Sequence, residues 1–138
     1  MPTTFRDGSS RDGPPSDGQL AAAISRAVVH LFSEHTGRGP TKARTTVDGE
    51  LVVVVLRDSM TQGERTLVRG GKEAEVLRLR RAFQDTMSGD LVAVIERLTE
   101  RNVQAFMSAN HTRPDAAAEI FLLDGAVDVA DGFERTRS

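Results

Sequence analysis

The stretch KARTTVDGELVVVVLR, residues 42–57, constrains the fold more than any other part of the chain. Two runs rich in β-branched residues flank Asp48-Gly49, a pair favoured where a two-residue hairpin turn needs positive φ angles. The pattern predicts a β-hairpin. With Asp48 and Gly49 as the turn, Val47 lies opposite Glu50, Thr45 opposite Val52 and Ala43 opposite Val54 on one side. Lys42, Arg44 and Thr46 share the other side with Val55, Val53 and Leu51. The second strand is apolar on both faces, as central strands covered on both sides are. Cations nevertheless flank it on one face, so that face is expected to be only partly covered, which suits a dimer contact or an anion site.

Helical periodicity brackets this hairpin. Leu20, Ile24, Ala27, Val28, Leu31 and Phe32 recur at spacings of three and four, predicting a helix over Gln19–His35 that Asp17 or Gly18 caps. Gly37 stands where a left-handed C-terminal cap is expected, and Gly39-Pro40 forbids continuation. Downstream, Thr61 and Glu64 form a capping-box pattern for a short helix to about Arg69, closed by Gly70-Gly71. Val76, Leu79, Phe83, Met87, Leu91, Val94 and Leu98 then keep one phase across Ser88-Gly89-Asp90. That continuity favours one long helix from Lys72 to about Arg101 over a break at Ser88-Gly89.

Two short apolar runs, VQAFMSA and AAEIFLL, flank the turn-rich NHTRPDA and read as a second hairpin. The order is therefore helix, β-hairpin, short helix, long helix, β-hairpin. Such segregation predicts an α+β domain: a four-stranded, mainly antiparallel sheet with helices packed on it. So small a sheet leaves apolar surface, including Leu51, Val53 and Val55, that a second copy can cover, and a homodimer is expected.

At 138 residues the chain is sized for one domain. The expected division is a disordered leader over 1–17, a core over 18–124 and a C-terminal tail over 125–138, with AVDVADGF able to add a packed segment. Lys and Arg number 18 against 20 Asp and Glu, and a net charge of -2 argues against general affinity for nucleic acid or anionic lipid. The absence of cysteine removes disulfides, thiolate metal sites and cysteine nucleophiles. No apolar run approaches the ~20 residues of a membrane helix, and the N-terminus lacks the hydrophobic stretch of a signal peptide. A soluble, cytoplasmic protein without direct membrane insertion is expected.

Candidate binding residues concentrate in GRGPTKAR. Its glycines can aim backbone donors at an anion, and Arg38, Gly39, Lys42 and Arg44 can contact phosphate or carboxylate. The spacing is not that of a phosphate-binding Walker loop, and the segment follows a helix rather than opening one. A structural turn with solvated cations is the simpler account. In NHTRPD, His111 with Asp115 has the elements of a general base or a metal pair, but further ligands and a marked nucleophile are missing, while Asn, Pro and Asp also suit a turn. No metal, cofactor or catalytic set is predicted. Arg78, Arg80 and Arg81 form a basic cluster in the sequence, yet six Phe with no Tyr or Trp supply few stacking platforms, so no specific nucleic-acid partner is expected.

Together, GRGPTKARTTVDGELVVVVL, MTQGERTL, RRAF and VQAFMSANHTRPDAAAEIFLL resemble the bacterial MpsC-type domain, over roughly residues 19 to 123. That family is named for a proposed sodium-translocating, membrane-potential-generating system. The resemblance implies partnership with membrane proteins and carries over no catalytic residues. One departure is TERNV, where a glycine near Glu100 is expected to end the long helix and Asn102 is assigned the left-handed position instead. The expectation is a non-enzymatic accessory or regulatory domain, homodimeric, binding a protein partner at or near a membrane system. The alternative is a sensor or enzyme for a small phosphate or carboxylate, using Arg38, Lys42, Arg44 and His111.

Overall fold

The structure, a computed structural model, describes residues 16–40 and 42–129. Three helices, α1 (Asp17–Thr36), α2 (Gln62–Arg69) and α3 (Glu73–Thr99), lie with four strands, β1 (Lys42–Asp48), β2 (Leu51–Arg57), β3 (Val103–His111) and β4 (Ala116–Leu123). The strands form one antiparallel sheet in the order β1-β2-β4-β3. The α+β architecture and the shared sheet are as predicted. Of the leader expected over 1–17, residues 1–15 lie outside the described residues, as do 130–138 of the tail.

Local chemistry sets the element ends. Ser16 is the N-cap of α1: its hydroxyl accepts from the Gln19 N–H, and the Gln19 side chain accepts from the Ser16 N–H. This cap precedes the predicted one because a Ser with Gln three residues on satisfies two orphan donors, which Asp17 or Gly18 does not. Gly37 closes the helix at φ 82°. Thr61 and Glu64 form the expected reciprocal cap of α2. The long helix runs unbroken through Ser88 and Gly89 and stops at Glu100, which itself adopts the left-handed conformation at φ 58°. Asn102 does not take that role. It is held instead by Asp124, whose carboxylate accepts from its backbone and side-chain nitrogens at 3.2 and 3.1 Å.

The first hairpin corrects the predicted register by two residues. Asp48 pairs with Leu51, so Gly49 and Glu50 are the turn, and Val47, Thr45 and Ala43 oppose Val52, Val54 and Leu56. Gly49 has φ 61° and Glu50 is not left-handed, matching the turn that needs glycine only at its first central position. The physical reason is burial: the predicted register placed Glu50 on the core face opposite Val47, whereas the observed one exposes Glu50 and adds Leu56 to the buried ladder. A shift of two preserves the alternation of faces. The chain after β4 reinforces the turn, Val127 donating to the Gly49 carbonyl at 3.1 Å and Leu123 to that of Glu50 at 2.8 Å.

Both long helices cover the same side of the sheet. Ile24 and Val28 of α1, Val52, Val54 and Leu56 of β2, Met87, Leu91 and Ile95 of α3, and Phe121 of β4 are fully enclosed. Phe106 stacks on Phe121 at 4.9 Å between ring centroids. Each such aliphatic or aromatic side chain contributes about 1.5–3 kcal/mol through removal from water. Met60, Val68 and Val76 form a smaller cluster that holds α2 against α3.

Candidate functional site

The side of the sheet away from the helices is open, and the strand register fixes what it presents. Across β1, β2, β4 and β3, successive rows read Lys42, Arg57, Ala116, His111; Arg44, Val55, Ala118, Ala109; Thr46, Val53, Ile120, Met107; and Asp48, Leu51, Leu122, Ala105. Met107 is 50% exposed and Leu51 38%. One end is cationic, the middle apolar, and the far end carries Asp48 with Glu50 beside it in the turn. Among the described residues, Lys42, Arg44, Arg57, Asp48 and Glu50 make no ion pair or side-chain hydrogen bond.

The five residues singled out in the sequence are not gathered at one point. Lys42 and Arg44 project from the open face. Arg38 turns instead to the end of β2, donating to the Asp58 carbonyl and lying 3.4 Å from its carboxylate. Gly39 lies against α1, where a Cβ would come within 3.2 Å of both Cγ1 and the carbonyl oxygen of Val29. That glycine serves close backbone approach. His111 shares the Lys42 row but sits on the opposite edge strand, roughly 14 Å across three strand spacings. Its Nδ1 lies 3.0 Å from the Pro114 carbonyl. Arg57, which lies outside the GRGPTKAR segment, joins Lys42 because the two are paired across the hairpin.

Beneath the sheet lies a second polar assembly. Arg80 is almost wholly buried: Nε donates to Asn110 Oδ1 at 3.3 Å, Nη1 to Glu64 Oε1 at 3.3 Å and Nη2 to Ser59 Oγ at 2.6 Å. Gln84, one turn on, donates to Asn110 Oδ1 at 3.0 Å and to Glu119 Oε2 at 2.8 Å, and accepts from Asn110 Nδ2 at 2.8 Å. Ser108 Oγ hydrogen-bonds the other Glu119 oxygen. Burial pushes the Glu119 carboxyl up to about 7, against the opposing pull of Ser108, Gln84, Arg80 and Arg81. A carboxyl left without a direct cationic partner in low dielectric holds its proton more tightly.

Two features conceal this assembly in the sequence. The buried stripe of α3 is Val76, Arg80, Gln84, Met87 and Leu91, whereas Leu79, assigned to the stripe, is 44% exposed. Glu119 stands inside the apolar run AAEIFLL. Its alternation with Ala117, Phe121 and Leu123 was the signal that it faces inward. The Arg78–Arg80–Arg81 cluster also separates in space: Arg78 lies 3.8 Å from Glu75, Arg80 is buried, and Arg81 donates to the Ser108 carbonyl at 3.2 Å. Among the described residues, no group of three or more His, Asp or Glu side chains is placed to hold a metal.

No curated protein and no solved structure matches the chain. The family model described as "Na+-translocating membrane potential-generating system (MpsC)" matches residues 16–125, from the Ser16 cap of α1 to the turn after β4. The chain belongs to the MpsC family.

Proposed function

We propose that this domain is a non-enzymatic accessory or regulatory component that acts by protein docking on its open sheet face, as a homodimer, in association with the membrane system that its family description names. The observation that carries the reading is the charge layout of that face. Lys42, Arg44 and Arg57, unpaired among the described residues, stand at one end of an apolar centre, and Asp48 and Glu50, likewise unpaired among them, at the other. Two copies stacked face to face, related by an axis across the strands, bring each cationic end over the partner's acidic end while Val53, Ile120 and Leu122 are covered. No described helix is long and apolar enough to cross a membrane, so in this reading ion passage belongs to a partner.

Light scattering across a dilution series tests the association. The wild type is expected to dimerise and Val53→Glu to be monomeric. A Lys42→Glu, Arg44→Glu variant and an Asp48→Lys, Glu50→Lys variant should each self-associate poorly yet pair when mixed. A wild type that stays monomeric throughout, or charge variants indifferent to mixing, would refute it.

The same three cations, clustered at one end of the open face, favour a second reading, a phosphate or carboxylate site at Lys42, Arg44 and Arg57. It requires phosphate to raise the melting temperature with concentration in the wild type but not in Lys42→Ala, Arg44→Ala. Equal response of both proteins removes it.

A further inference from the structure

A pocket of about 210 Å³ opens between the C-terminal half of α1, the segment leading into α2 and the first half of α3. Its volume exceeds the ~150 Å³ of an apolar cavity able to hold benzene. Phe32, Leu79 and Phe83 supply apolar wall, while Ser59, Glu64, Arg80 and Gln84 are polar. Most of that polar capacity is spent. Ser59 accepts from Arg80 and donates to Asp115, and Gln84 is engaged by Asn110 and Glu119.

Two groups retain capacity. A guanidinium has five N–H donors, and Arg80 directs one each to Asn110, Glu64 and Ser59. Glu64 receives both the Thr61 N–H and Arg80 through Oε1, and among the described residues nothing donates to its Oε2. The wall thus presents unspent donors beside an unspent acceptor, both on side chains more than nine-tenths buried. Neither group is an orphan sealed from water, so both are reachable from the pocket, and a ligand able to complete both in place of water gains specificity from them.

Charge decides the class of that ligand. Arg80 and Glu64 already form a neutral pair 3.3 Å apart. An anion or cation placed beside them would bring an uncompensated charge into a partly enclosed, mainly apolar space. We propose that this pocket is a binding site for a small uncharged carboxamide-type molecule, its carbonyl accepting from Arg80, its N–H donating to Glu64 Oε2, and its apolar body lying against Phe32, Leu79 and Phe83. The site lies on the helix side of the sheet and does not depend on docking at the open face.

Benzamide serves as the probe, with benzoate, benzylammonium and toluene as near-isosteres differing in charge or polar head. In titrations of the full chain followed by nitrogen-15 NMR, benzamide is expected to shift the backbone amides of Thr36, Ser59, Leu79 and Phe83. Each comparator should bind at least roughly tenfold more weakly, the equivalent of about 1.4 kcal/mol. Leu79→Trp, made at an exposed lip where the fold is undisturbed, should abolish the shifts. Arg80→Met, if folded, should bind benzamide and toluene alike. The proposal is overturned by absence of benzamide-induced shifts, by equal response to toluene or benzoate in the wild type, or by shifts that survive Leu79→Trp.

Discussion

Glu119 makes the stability of this fold depend on pH in a direction opposite to that of an ordinary surface carboxylate. Its carboxyl is completely enclosed on the core face of β4, and burial raises its pKa from 4.5 to about 7. In the unfolded chain it ionises near 4.5, so between that value and about 7 the unfolded state has lost a proton that the native state still holds. The slope of unfolding free energy with pH is then negative. Stability is fully present below 4.5 and is lost as pH rises through about 7. At about 1.4 kcal/mol per pH unit the interval amounts to about 3 kcal/mol. Replacing Glu119 by Gln keeps both hydrogen bonds, since the amide oxygen can accept from Gln84 and the amide nitrogen can donate to Ser108. Because the chain has no Trp or Tyr, the comparison is best made by urea unfolding followed with far-UV circular dichroism. Taking the difference between Glu119→Gln and wild type at each pH cancels the other titrating groups. The expected difference is near zero at pH 4.5 and rises to about 3 kcal/mol in favour of Glu119→Gln by pH 8. Parallel curves for the two proteins would show that Glu119 is not protonated in the native state and would refute the reasoning.

Three further outcomes follow from local geometry and are measured by the same unfolding assay at fixed pH. Glu100→Gly should stabilise by roughly 0.5–1 kcal/mol, because Glu100 adopts φ 58° at the end of α3 and glycine meets no Cβ penalty there; a loss of stability would contradict this. Gly89→Ala should stabilise by about 1 kcal/mol, since Gly89 is exposed in mid-helix and an added Cβ meets nothing within 4 Å; no gain would indicate that the helix breaks at that point. Arg80→Met alone should cost about 3–5 kcal/mol by leaving Glu64 uncompensated, and adding Glu64→Gln should recover a substantial part; if the second change recovers nothing, the pair is not coupled.

Much of the architecture was legible in short-range chemistry. A glycine between two β-branched runs, a Thr with Glu three residues on, and an apolar phase carried across Ser88-Gly89 each act within a few residues, so one sequence suffices to read them. The two-residue error in the hairpin register arose where two adjacent turns were both chemically acceptable and the core made the choice by rejecting Glu50. Binding residues were less legible. Arg38, Gly39, Lys42 and Arg44 are neighbours in sequence, but strand alternation and helix contact send them to three different surroundings.

By itself the sequence determined the order of elements, the two hairpins, the Gly37 stop, the Thr61–Glu64 cap and the apolar character of the central strand, because propensity, periodicity and turn geometry are local properties. Only the tertiary structure decided that β2 lies beside β4, that Arg57 and Lys42 share an open face, and that Arg80, Gln84 and Glu119 meet under the sheet. Lys42 and Arg57 meet through a hairpin register that the core selects. The β2–β4 pairing and the Arg80, Gln84 and Glu119 assembly instead join residues far apart in the chain, and the assembly's energy comes from burial and mutual hydrogen bonding that exist only once the helices have closed over one side of the sheet.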